Sequence, residues 1–210
     1  VTTSVRKAAE ALLEAGGLIL SPDAPITFAS GIRSPVYMDI RRLIASPRAW
    51  VTVIDGLMQR LEEGPAPEVV AGVAVGGVPH SAALAYAAGL PCCFVRKEAK
   101  GYGRGLAVEG AEVRGRRVAL VEDAVTTGGS SLKAVKALRQ AGAEVTVCLA
   151  VAGYGFSDTH HAFAGAGVEF SLLVPFLDLL DTAAGREGFP PEAVDEARRW
   201  WADPRAWEPA

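Results

Sequence analysis

The chain has 210 residues, half of them hydrophobic and 21% charged, with a formal net charge of −3. That length supports one sizeable core, and the balance is that of a folded chain, not a disordered one. The slightly acidic total leaves no electrostatic footprint for nucleic acid or a membrane surface as the main partner, and no apolar run approaches the roughly 20 residues of a membrane span.

Residues 1–16 carry apolar side chains at helical spacing (Val5, Ala8, Ala9, Leu12, Leu13), without the continuous apolar centre of a signal peptide. Residues 26–28 and 36–39 read as short β-like segments, punctuated by turns at Ser30-Gly31 and Ser34-Pro35. They describe a small N-terminal unit built beside a larger sheet. From residue 50 onward, helical and strand-like patterns alternate. Helix 50–61 is followed by strand 68–74, helix 80–88, strand 92–96, strand 117–121, helix 132–141, strand 145–151, a weak helix 159–164 and strand 168–174. Runs such as VAGVAV and VTVCLAVA are apolar throughout, as strands covered on both faces are, so repeated βαβ units and a mostly parallel sheet are expected. The reading is one domain over 1–210, with N-terminal helix and hood elements at 1–45, a core at 46–175 and a helical tail at 176–210. The tail holds Trp200, Trp201 and Trp207 with Arg198, Arg199 and Arg205, and reads as a helix with one apolar face on the body or a partner.

The three cysteines, Cys92, Cys93 and Cys148, lie in apolar runs without CxxC spacing. They read as buried free thiols in a reducing, cytoplasmic setting. His160-His161 is the only histidine pair, and no further Cys or His stands at ligand spacing for zinc.

Three loops carry chemistry. Val118–Ser131 reads VALVEDAVTTGGSS: an apolar strand delivers two carboxylates, Glu122 and Asp123, to its C-terminal tip, and a small polar turn then opens a helix. Backbone N–H groups of such a turn close around an anion, helped by the helix N-terminus. One side of the site takes phosphate and the other takes hydroxyls, and a ribose 5-phosphate offers both. An ordinary strand–turn–helix corner is the plainer alternative. Val70–Pro79 reads VAGVAVGGVP and sends a second buried strand into Gly76-Gly77, a turn that lets backbone approach a ligand closely. Phe94–Gly110 places Arg96, Lys97, Lys100 and Arg104 among glycines between two strands, a composition suited to folding over a polyanion.

Val118–Ser131 resembles the signature with which type I phosphoribosyltransferases bind PRPP, 5-phosphoribosyl 1-diphosphate. The resemblance implies that family's α/β fold, a mostly parallel central sheet flanked by helices with a small N-terminal hood subdomain. It implies that Glu122 and Asp123 contact the ribose hydroxyls with metal nearby. Val125, Thr126, Thr127, Gly128, Gly129 and Ser130 would cradle the 5-phosphate, and Gly76 and Gly77 would bind the diphosphate. Within that family, RKEAKGYG…EG resembles the catalytic loop of orotate phosphoribosyltransferases. FASGIRSPVYMDIR, over Phe28–Arg41, looks like their N-terminal signature, and Val70–His80 matches their GVAxGGxPH form. The four motifs stand in the right order over residues 26–175.

The narrower resemblance implies transfer of ribose 5-phosphate from PRPP to orotate in pyrimidine biosynthesis, giving orotidine 5-monophosphate and diphosphate. Lys100 would act as the lid lysine, with Asp123 and Glu122 as the other catalytic groups. Arg96, Lys97 and Tyr102 would contact the diphosphate. Ser30, Arg33, Tyr37, Met38, Thr126 and Tyr154 would surround orotate. Mg²⁺ is the implied cofactor, bound mainly through PRPP near Glu122 and Asp123. A cytoplasmic homodimer whose lid reaches the neighbouring site is implied as well, with no nucleic acid and no membrane. The chain departs from the pattern at three places. Tyr102 stands where many members have histidine, and Ala29 where many have lysine. Gly153-Tyr154-Gly155-Phe156 stands where one branch has an Asp-Arg pair whose arginine helps hold the orotate. The orotate carboxylate therefore needs another donor, and Arg33 or the backbone of the Ser30–Ser34 turn is a candidate. The missing pair motivates a phosphoribosyltransferase for another base as one alternative. A non-catalytic PRPP-sensing regulator is the other, opposed by the net charge and by the lid lysine.

Overall fold

The protein is described from a computed structural model, over residues 3–28, 30–96 and 108–209. Helix α1 (Thr3–Glu14) leads into four short strands, β1 (Leu18–Leu20), β2 (Ile26–Thr27), β3 (Arg33–Ser34) and β4 (Val36–Met38), and then a 3-10 helix over Ile40–Ala45. Alternation follows: α2 (Pro47–Glu63), β5 (Val69–Val73), α3 (Gly77–Ala88), β6 (Cys92–Val95), β7 (Val108–Gly110), β8 (Arg117–Val125) and α4 (Gly129–Gln140). The chain closes with β9 (Glu144–Gly153), α5 (Ser157–Gly165), β10 (Glu169–Pro175), α6 (Phe176–Ala183) and α7 (Pro191–Ala202).

The central sheet has the order β10-β9-β8-β5-β6-β7, parallel throughout except for β7 at the edge. Alternation along β8 explains why it is apolar on both faces. Ala119 and Val121 join the core shared with α1, α2 and α3, and Val118 and Leu120 join the one shared with α4 and α5. Helix α4 buries Ser131, Ala134, Val135 and Leu138, the spacing of one helical stripe. β5 is followed by β6 on one side and, after β7, by β8 on the other. The order of strands therefore reverses between β5 and β8, and a crevice opens at their C-terminal ends, the usual ligand position in open α/β sheets.

The hood is two antiparallel pairs, β1 with β4 and β2 with β3. Helix α7 braces it. Trp200 is fully buried against Phe28, Tyr154 and Phe176, and its indole N–H donates to the Arg33 carbonyl at 2.7 Å. Trp201 donates to the Tyr154 carbonyl at 2.6 Å. The tryptophans of the tail thus pack on the body, and Arg198 and Arg199 pair with Asp181 and Glu196. The cysteines are unpaired; burial, then the neighbouring Cys92, pushes the Cys93 thiol up to about 12.

The structure differs from the sequence reading at several boundaries. Strand β8 does not stop before the acids but runs on to Val125, because β9 keeps pairing with it as far as Val125↔Gly153. Ladder hydrogen bonds override the low strand propensity of carboxylates. β5 pairs with it only to Gly72↔Val121, which leaves the edge beside the acids open. Residues 108–110, read as part of a loop, pair antiparallel with β6. Helix α6, the 3-10 helix and β1 had no separate place in the reading. Each is short and owes its form to packing against partners distant in sequence.

Candidate active site

A cleft of about 710 Å³ lies over the C-terminal ends of β5 and β8, roofed by the hood. Three chain segments form it. The β5–α3 turn contributes Val73–Gly76, the end of β8 and the start of α4 contribute residues 122–131 with Lys133, and the hood contributes Phe28, Ser30, Tyr37, Met38 and Arg41. Tyr154, at the end of β9, completes the wall.

The two acids have different surroundings. Glu122 is buried, and the Ser131 hydroxyl donates to its Oε2 at 3.1 Å. Burial, reinforced by the adjacent Asp123 carboxylate, pushes Glu122 up to about 9, against the opposing pull of Ser131. Its carboxyl is then neutral near pH 7. Asp123 is half-buried and meets the β5–α3 turn: a Cβ on Gly76 would collide with its carboxylate. Gly76 is required here for close approach. Gly77 lies under the Val121 carbonyl, which a Cβ would meet at 2.5 Å, and does not line the cleft.

A raised carboxyl pKa ties stability to pH. The folded chain binds this proton more tightly than the unfolded chain, whose ordinary value is 4.5. The stability is therefore complete below pH 4.5 and is lost as pH rises toward about 9. Glutamine mimics the neutral carboxyl. Glu122→Gln is expected to leave the unfolding midpoint near wild type at pH 5 and to raise stability on the order of 1–3 kcal/mol at pH 9. Denaturant melts at both pH values check this, and a difference independent of pH would mean that Glu122 is ionised throughout.

The turn Thr126–Ser130 runs into α4. Gly128 has φ +78°, a left-handed conformation, and its missing Cβ leaves room for the Phe163 ring, which would otherwise stand 2.8 Å away. Among the described residues no side chain caps α4, so the N–H groups of its first turn point at the cleft with the positive end of the helix dipole. Thr159 fixes the turn from behind, its hydroxyl donating to the Thr126 carbonyl at 3.0 Å. Such an arrangement binds a phosphate dianion. The acids beside it offer hydroxyl-binding oxygens, and the aromatic hood offers a face for a planar ring.

Of the residues singled out from sequence, Gly76, Glu122, Asp123 and all of 125–130 line one cleft together with Ser30, Tyr37, Met38 and Tyr154. Three others stand elsewhere: Gly77, under the Val121 carbonyl, and two arginines. Arg33 is exposed on β3 and does not line the cleft, and Arg96 pairs with Glu109 at 2.8 Å across β6 and β7. Lys97, Lys100 and Tyr102 lie outside the described residues.

Sequence reasoning passed over Phe28, Arg41, Ser131 and Lys133 as site residues, although all four line the cleft. The Tyr-x-Asp-x-Arg tail of the hood motif was the available signal for Arg41. It passed over His80 as well. That side chain is fully buried on α3, accepts a hydrogen bond from the Trp50 indole at 3.1 Å, and is held below the ordinary histidine range by burial.

Comparison with known proteins points the same way. The phosphoribosyl transferase domain family matches residues 44–161. An orotate phosphoribosyltransferase of Bacillus pumilus is 37% identical over 199 residues, 94% of each chain. The crystal structure of orotate phosphoribosyltransferase from Aeropyrum pernix superposes with a TM-score of 0.72 at 33% identity, over 82% of this chain and 96% of that one. The Mycobacterium tuberculosis orotate phosphoribosyltransferase, solved in complex with PRPP, superposes with a TM-score of 0.67 at 27% identity, over 84% and 98%. Among the described residues, no helix is long and apolar enough to cross a membrane.

Proposed function

This chain belongs to the orotate phosphoribosyltransferase family, and from that premise we propose how its cleft transfers ribose 5-phosphate from PRPP to orotate, releasing diphosphate. The observation that carries the reading is a single cleft in which an uncapped helix N-terminus, a carboxylate pair and an aromatic wall converge. These are the three chemistries that a 5-phosphate, ribose hydroxyls and a planar base require.

Residues Thr126–Ser130 hold the 5-phosphate and fix the sugar's position. Asp123 accepts hydrogen bonds from the ribose hydroxyls and faces the positive charge that grows on the ring as the bond from C1 to the diphosphate oxygen breaks. The base nitrogen gives its proton to the released diphosphate and forms the new bond to C1, and the pair of electrons of the old bond leaves with the diphosphate. Catalysis is then mainly positioning and electrostatics. The β5–α3 turn at Gly76, which lines the same cleft, would supply backbone donors to the diphosphate. Lys100, with Arg96, Lys97 and Tyr102, is proposed to neutralise the leaving group, on the resemblance of residues 94–110 to the family's lid. The half-buried guanidinium of Arg96 would exchange Glu109 for diphosphate.

The family implies Mg²⁺, and the donor set suits it. No group of three or more metal-ligating side chains exists among the described residues, while Glu122 and Asp123 offer hard oxygens at the cleft. A hydrated cation carried mainly by PRPP and touching these acids fits that set. When bound, Mg²⁺ supplies charge neutralisation on the diphosphate. A cytoplasmic setting is proposed from the three unpaired thiols.

The test follows the ultraviolet absorbance of orotate on adding PRPP, Mg²⁺ and the purified chain, with hypoxanthine, adenine and uracil in parallel. Orotate alone is expected to be consumed. Turnover of a purine instead would overturn the assignment of the base.

A further inference from the structure

We infer that Arg41 is the residue that recognises the carboxylate of the orotate base, taking the place of the arginine missing from the Gly153–Phe156 turn. This inference rests on the functional reading above and assigns the specificity-determining contact within it.

Two cations line the cleft among the described residues, Arg41 and Lys133. They come from different segments of its lining. Lys133 belongs to the first turns of α4, beside the phosphate loop. Arg41 belongs to the hood, where its Nη2–H donates to the Tyr37 hydroxyl at 3.1 Å beside the aromatic wall. PRPP and the base bring two separate anionic groups, the 5-phosphate and the base carboxylate, and the phosphate-loop segment and the hood segment each hold one cation.

The guanidinium is aimed. Its Nε–H donates to Asp39 Oδ1 at 2.7 Å, so the fork is tied at the back by Asp39 and on one side by Tyr37. Of its five N–H groups these use two. The end formed by Nη1 and the second Nη2 hydrogen has no partner among the described residues. That end matches a carboxylate in the two-pronged geometry that makes arginine the residue for planar anions. Asp39 and Tyr37 also raise the Arg41 pKa, with Asp123 adding the smallest contribution, so the cation stands within electrostatic reach of the ribose-binding acid. The chemistry of orotate asks for that position. Its carboxylate sits on the carbon next to the nitrogen that receives C1, and the partner must therefore lie between the base wall and the ribose. Arg33 does not meet this condition, because it does not line the cleft.

Steady-state kinetics of Arg41→Gln test the assignment, with Arg41→Lys as a second variant that keeps the charge and loses the fork. Arg41→Gln is expected to raise the KM for orotate about 10- to 100-fold, the range of a lost charge-assisted pair, and to leave the KM for PRPP within about twofold. Binding of uracil, measured as a competitive ligand against orotate, should stay within about twofold, because uracil has no carboxylate to lose. Arg41→Lys should recover part of the orotate affinity. The side chain is 59% exposed, so neither variant should disturb folding, and thermal melts verify it. An unchanged orotate KM in a wild type that consumes orotate would overturn this inference alone. A PRPP KM raised as much as the orotate KM would instead make Arg41 a diphosphate contact. A wild type that does not consume orotate overturns the functional reading and this inference with it.

Discussion

Asp123→Asn is expected to lower kcat about 100- to 1000-fold, the range seen when one preorganised electrostatic group is removed from a reacting centre, and to raise the KM for PRPP as well. The substitution keeps the shape of the side chain and removes its charge. Asp123 is the acid that faces the ribose position: Glu122 is buried, holds its proton and hydrogen-bonds with Ser131, whereas Asp123 is half-buried in the open edge left where β5 ends. An amide there would still accept one hydrogen bond from a ribose hydroxyl but would offer no counter-charge to the ring. Normal kinetics with PRPP would remove Asp123 from the site. The same variant tests whether sites are shared. We propose a homodimer whose lid crosses to the neighbouring site, and mixing Asp123→Asn with Lys100→Ala protomers should then restore up to about a quarter of the sites, by random pairing of complementary halves. Verified heterodimers without activity would argue for self-contained sites.

Gly76→Ala is expected to cost about 100-fold in kcat/KM, the penalty of moving a reacting group by an ångström, with little change in the melting midpoint. A Cβ at this position meets all three atoms of the Asp123 carboxyl group, so either the acid rotates away from the ribose or the turn moves away from the diphosphate. The half-buried surroundings of Gly76 let either happen without opening the core. Kinetics with PRPP as the varied substrate, beside a thermal melt, check this. An alanine variant with unimpaired kinetics would show that the turn can relax without disturbing the acid.

How much of this was legible beforehand depends on the range of the interaction concerned. The βαβ alternation from β5 to β10 was readable because each element declares itself through its own periodicity, as α4 does with Ser131, Ala134, Val135 and Leu138. The phosphate turn was readable for a similar reason: Thr126–Ser130 is contiguous, and its function needs only small residues at the head of a helix. The boundaries were less legible. Nothing local to Glu122 and Asp123 says that β9 will pair with them and continue the strand. Nothing in residues 108–110 says that β6 will take them as an edge.

The sequence by itself determined the family's chemistry, the two strand-to-helix loops and the acids between them, because these are runs of neighbouring residues whose backbone preferences act over a few positions. Only the tertiary structure decided which basic side chains enter the cleft. Arg33 and Arg41 are close in sequence and equally charged, yet one does not line the site and the other does, held there by Asp39 and Tyr37. The unequal state of the two acids was likewise decided by folding, since Glu122 becomes buried beside Ser131 while Asp123 stays at the open edge. Burial and long-range partners set both outcomes, and neither is a property of a residue's neighbours along the chain.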